Sequence, residues 1–124
     1  MSTLKADTIQ STGGGAATLT KQSASKFRVH HSGDTPTTNE SFNMSSLTDN
    51  ATGDYTYAFT NSFNTAYYSS SAMSTEDGTI GYVTMYYDRS YTRSASNLRL
   101  QGINQSDSFD DGAFTSVVSH GDLA

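Results

Sequence analysis

Apolar and polar positions alternate along this 124-residue chain in short runs, with the period of a strand and not of a helix. Phe27 and Val29 alternate with Arg28 and His30, predicting a half-buried strand that begins near Lys26. Ser32 to Asn39 reads as a loop around the only proline, Pro36. Phe42 and Met44 resume the alternation and run on towards Leu47. Asp49-Asn-Ala-Thr-Gly-Asp54 reads as a turn, and Tyr55, Tyr57 and Phe59 then alternate with Thr56 and Ala58. These two runs form the strongest hairpin signal in the sequence, with Phe42, Met44 and Leu47 facing Tyr55, Tyr57 and Phe59 as a core hairpin. The short side chains of Asp49 and Asn50 can bond nearby backbone and set the turn. Gly53 permits a backbone conformation that strains other residues.

Further strands are predicted over Ala66 to Met73, Ile80 to Tyr87, Leu98 to Ile103 and Ala113 to Ser119, the last with Phe114, Val117 and Val118. Glu76-Asp77-Gly78 and Asn104 to Gly112 read as acidic turns. The Ile80–Tyr87 run is apolar on both faces, which places it centrally or at an interface. No segment has helical periodicity. Short strands at this spacing predict an all-β fold, an antiparallel β-sandwich of jelly-roll-like type over residues 26–124. Residues 1–25 differ. Apart from Met1, their large apolar residues are Leu4, Ile9 and Leu19, and Ser11-Thr-Gly-Gly-Gly-Ala-Ala17 is too small and flexible to pack. They read as an extended N-terminal arm, either a disordered tail or a segment that orders on a partner or on sibling chains with Leu4 and Ile9 as its anchors.

Composition sharpens this picture. Leu, Ile, Val and Phe together supply 19 residues, against 38 Ser and Thr. A chain under about 20% in those four types rarely completes a core unaided. Eight Tyr reinforce the apolar runs, and a homo-oligomer is the simplest source of the missing apolar area. The net charge of −5 and the scattered seven Lys and Arg argue against nucleic acid as a partner. With no Cys there is no disulfide framework, thiol nucleophile or cysteine metal site. No apolar run reaches membrane-spanning length, and the first residues lack the apolar stretch of a secretory leader, so synthesis and assembly in a cytoplasm without membrane insertion are expected.

Two segments resemble a known family. The opening Met1-Ser-Thr-Leu-Lys-Ala-Asp-Thr-Ile-Gln-Ser-Thr-Gly-Gly and the central Ser41-Phe-Asn-Met-Ser-Ser-Leu-Thr-Asp-Asn-Ala-Thr-Gly-Asp-Tyr-Thr-Tyr-Ala-Phe59 are similar to small tail-fibre and fibre-like virion proteins of bacteriophages of marine and freshwater bacteria. The chain departs from their pattern at Phe27-Arg-Val-His-His31. The resemblance implies a homotrimer on the virion. Residues 1–25 would bind another virion protein, and the β-domain would face host surface polysaccharide or protein for host attachment. Capsid decoration, as a head-fibre protein, is the alternative within the same resemblance.

Candidate chemistry is sparse. His30 and His31 are adjacent and would point to opposite faces of a strand, so they cannot jointly ligate one ion; one His from each of three chains around an axis could. Otherwise they and His120 are surface or interface imidazoles. Asp107, Asp110 and Asp111 lack the spacing of a calcium loop. No G-x-S-x-G elbow occurs, and Glu40 and Glu76 are the only Glu. These features predict no catalytic residues, no metal and no cofactor. The best candidate for a binding surface, such as a receptor-contacting loop, is Tyr86-Tyr-Asp-Arg-Ser-Tyr-Thr-Arg93, where Tyr86, Tyr87, Arg89, Tyr91 and Arg93 combine stacking rings with hydrogen-bonding cations; the same composition suits protein interfaces, with Tyr86 and Tyr87 as core or trimer contacts, and a plainly exposed loop is the remaining reading.

Overall fold

The computed structural model describes residues 24–75, 82–87 (backbone only) and 91–121, with Gly13. Eight strands occur in these residues: β1 (Ala24–Ser32), β2 (Thr37–Phe42), β3 (Met44–Ala51), β4 (Asp54–Phe59), β5 (Ser69–Thr75), β6 (Tyr82–Tyr87), β7 (Asn97–Ile103) and β8 (Phe114–Gly121). No helix occurs among the described residues. All pairings are antiparallel and run in the order β2-β1-β8-β5-β6-β7-β4-β3. The start of β6 pairs with β5 through Thr75↔Tyr82 and Ser74↔Val83, and its remainder pairs with β7 from Thr84 to Tyr87. This strand therefore joins two antiparallel sheets. Strands β5, β6 and β7 are consecutive, and β8 returns beside β5, which is a Greek-key connection.

The two sheets enclose one core. Phe27 and Val29 of β1 and Val117 of β8 come from one side, and Tyr55, Tyr57 and Phe59 of β4 with Leu98 and Leu100 of β7 from the other. The Phe27 ring lies 4.9 Å from that of Phe59 and 6.0 Å from that of Tyr57. Aromatic rings fill the space that the scarce aliphatic residues leave open. Phe63 and Tyr68, from the irregular segment between β4 and β5, stack at 4.3 Å and cap this cluster. Gly121 lies beneath Phe63, where a Cβ would come within 2.6 Å of the ring.

The predicted hairpin forms as β3–β4, with Met44↔Phe59, Leu47↔Tyr57 and Asp49↔Tyr55 in register. Gly53 has φ +67, as its place in the turn requires. The side chain of Asn50 donates to the Asp54 carbonyl across the same turn. Phe42 is a correction. It belongs to β2, pairs with Arg28 of β1 and is 54% exposed. Asn43, at φ +60, turns the chain between β2 and β3. Its amide holds Asn61, whose backbone N–H donates to Asn43 Oδ1 at 2.7 Å and whose carbonyl accepts from Nδ2 at 2.9 Å. The period-two pattern does not reveal this corner, because Phe42 and Met44 flank it with strand-like spacing. Boundaries also move. β1 begins at Ala24, inside the expected arm, β2 begins at Thr37, inside the expected loop, β3 runs through Asp49 and Asn50 of the expected turn to Ala51, and β5 begins at Ser69, three residues after Ala66.

Candidate interaction face

Ionisable groups in the interior are paired with protein partners. The Asp54 carboxylate accepts from Arg99 Nε at 2.8 Å and from its Nη2, from Gln101 Nε2 at 3.1 Å and from Asn50 Nδ2 at 3.2 Å. The Arg99 guanidinium, opposed by burial and helped by the two amides, holds its carboxyl below the usual carboxylate value. His31 is fully buried, which corrects the expectation of a surface or interface imidazole. Its Nδ1 lies 3.1 Å from the Ser32 carbonyl and its Nε2 lies 2.9 Å from the Tyr57 hydroxyl. Both bonds are made when Nδ1 carries the proton and donates, and Nε2 accepts from Tyr57. Burial depresses the His31 pKa, more than the Ser32 bond raises it. Burial also pushes the Tyr57 hydroxyl up.

The acidic turn before β8 is a structural clasp. Asp111 Oδ1 accepts from the Gly53 N–H and the Tyr55 hydroxyl, joining this turn to the tip of the β3–β4 hairpin. Burial raises the Tyr55 pKa, and its bond to Asp111 raises it further. Asp110 accepts from Asn104 Nδ2, and Asn104 Oδ1 accepts from the backbone N–H groups of Ser106 and Ser108. Among the described residues no group of three or more His, Asp or Glu is placed to hold a metal ion.

The candidate loop is only partly in view. Tyr86 and Tyr87 lie on β6, paired with Gln101 and Leu100. Their side chains, and the whole of Arg89, lie outside the described residues, as do Leu4 and Ile9. Tyr91 is half-buried, with its hydroxyl 3.4 Å from the Asn97 carbonyl. Arg93 donates to the Tyr68 carbonyl at 2.8 Å and lies 5.5 Å over the Tyr68 ring. Tyr91 and Arg93 thus tie their segment to the edge of the core.

A continuous apolar display lies elsewhere, on the outer face of β2-β1-β8-β5. Strand register builds it. Val117 pairs with Val29 and Ala72 and points inward, so Ser116 and Val118 point outward beside His30, Met73, Arg28 and Ser71. Met73 is 78% exposed, and Phe42 and Phe114 are each 54% exposed. The His30 and Phe114 rings stack at 5.7 Å. Short Ser71 and Ser116 side chains leave a groove of 340 Å³ between Met73 and the Arg28–Glu40 ion pair. The signal for this face was present in β8: Phe114 and Val118 fall on one side of the strand and Val117 on the other. Val117 joins the core, which leaves Phe114 and Val118 on the outer face. No helix among the described residues is long and apolar enough to cross a membrane. Comparison with family models, curated proteins and solved structures finds no match for this chain.

Proposed function

We propose that this chain is a structural fibre protein of a bacteriophage virion, on the tail or neck. Residues 1–25 attach it to another virion protein, and a homotrimeric β-sandwich knob is displayed for host adhesion. One observation carries the reading. The interior ionisable groups His31 and Asp54 are bonded within the protein, while Met73, Phe114 and Phe42 face outward on one sheet. A surface built for contact, beside an interior built for stability, suits a display module better than an enzyme. The resemblance of the opening and central segments to small phage fibre proteins supplies the setting. Threefold repetition multiplies weak contacts into avidity.

The capsid-decoration reading shares this architecture and differs in location. Antibody raised against the chain, followed by immunogold electron microscopy of the phage particles that encode it, separates the two. Gold on tails or necks is the expected result. Gold on heads favours decoration, and unlabelled particles overturn both readings.

A further inference from the structure

We propose that the outer face of β2-β1-β8-β5 is the surface through which copies of this chain assemble, with a second copy as its occupant. The inference rests on the reading that the protein is homo-oligomeric and names the face that does the work. Two observations select the occupant. The first is charge. The chain carries −5, so its copies repel one another over most approaches. The described acidic residues Asp34, Asp49, Asp54, Asp107, Asp110 and Asp111 all lie in turns or on the second sheet. On the outer face of these four strands the charged pair Arg28 and Glu40 cancels within one ion pair. A like-charged copy meets a face with no net charge there.

The second observation is shape. Met73 projects from β5 next to the groove floored by Ser71 and Ser116, so one face presents both a knob and a socket. Methionine is unbranched and adapts to an irregular socket. Phe42, Phe114 and the half-buried Val118 extend the apolar area on either side. Sheets packed face to face lie about 10 Å apart, a spacing that side chains of this size bridge. The same face can be turned to a threefold axis or packed directly on its equivalent.

The test is sedimentation velocity of the full chain over a concentration series. It uses the wild type, Met73→Glu, the double variant Met73→Glu/Phe114→Glu, and Tyr67→Ser as a control. Tyr67 is 90% exposed and lies in the irregular segment between β4 and β5, outside the four strands of this face. The expected result is an assembled wild type and Tyr67→Ser. Self-association weakens at least tenfold in Met73→Glu and is lost in the double variant, with circular dichroism and urea unfolding showing every variant folded. A folded double variant that still assembles overturns the assignment of the face while leaving the oligomer intact. A wild type monomeric throughout overturns the inference, and the gold label on particles then decides the virion reading separately. Titration with a peptide of residues 1–23 is the remaining arm. Binding that disappears in the double variant gives the face to the N-terminal segment and overturns the second copy as occupant. A dimer with the same sensitivity supports the face and replaces the threefold symmetry.

Discussion

Two buried side chains set the response to acid, and they act in separate windows. His31 is neutral in the fold, donating to Ser32 and accepting from Tyr57, and burial lowers its pKa from 6.5. Between the folded and unfolded values the unfolded chain binds the extra proton, so stability falls as pH drops below about 6.5. The urea midpoint of the native protein should decline from pH 7 to pH 5. In His31→Gln that decline should vanish, while stability at pH 7 falls by about 1–3 kcal/mol because Tyr57 loses a shaped acceptor. An unchanged slope in the variant would place the response elsewhere. Asp54 acts lower. Its folded pKa is depressed chiefly by Arg99, so its contribution is complete above the unfolded carboxylate value of about 3.9 and is lost as pH falls through the folded one. Asp54→Ala removes the partner of a guanidinium that is only 31% exposed. Breaking a buried pair costs about 3–5 kcal/mol, and the partial hydration of Arg99 places this one near about 3 kcal/mol. Equilibrium unfolding of Asp54→Ala at pH 7 measures it, and the variant should also lose the acid limb near pH 4.

At the scale of elements, the β3–β4 hairpin depends on a glycine used twice. Gly53 holds φ +67, and a Cβ there would meet the Gly102 carbonyl at 2.7 Å and Asp110 backbone at 2.8 Å. Left-handed strain costs an alanine about 1–2 kcal/mol. The close approach of the 104–112 turn adds to that, because backbone atoms and not a flexible side chain occupy the space. Gly53→Ala should therefore lose more than about 2 kcal/mol by urea unfolding; a smaller loss would mean that the turn moves aside freely. This hairpin was legible in the sequence because Tyr55, Tyr57 and Phe59 alternate strictly and a glycine marks the turn. The clasp across it was not. Asp111 is 58 residues from Gly53, and period-two patterning says nothing about which turn meets which tip. Phe63 was missed for a related reason: it caps the core from an irregular segment that has no period to betray it, while Tyr68 falls inside the expected Ala66–Met73 strand but one residue before β5 begins. His31 read as a surface group because a histidine in an alternating run carries no mark of the tyrosine awaiting it 26 residues later. The proposed face was not read from the sequence, although β8 carries apolar residues on both sides, because only the register shows which of its neighbours share each side.

For the whole molecule, scarcity of aliphatic residues is answered within the chain and, in the proposed assembly, between chains, and the two respond differently to salt. Within the chain, aromatic rings replace aliphatic volume; ring pairs such as Phe27–Phe59 and Phe63–Tyr68 contribute about 0.5–1.5 kcal/mol each beyond their buried area. Between chains, in the assembly proposed above, apolar surface would be gained only when copies carrying −5 approach one another. An interface built on Met73, Phe42 and Phe114 around one internally neutralised ion pair gains little from attraction between opposite charges. It is opposed mainly by repulsion spread over the remaining surface. At about 0.15 M ionic strength the Debye length is about 8 Å, and at about 1 M it is about 3 Å, so added sodium chloride removes most of that repulsion. Self-association should therefore strengthen from 0.05 to 0.5 M sodium chloride, and the thermal midpoint should rise with protein concentration at either salt level. Sedimentation and thermal scans across the series measure both trends. Weakening with salt would point instead to oppositely charged patches as the contact, and those would have to lie away from the neutral face of β2-β1-β8-β5.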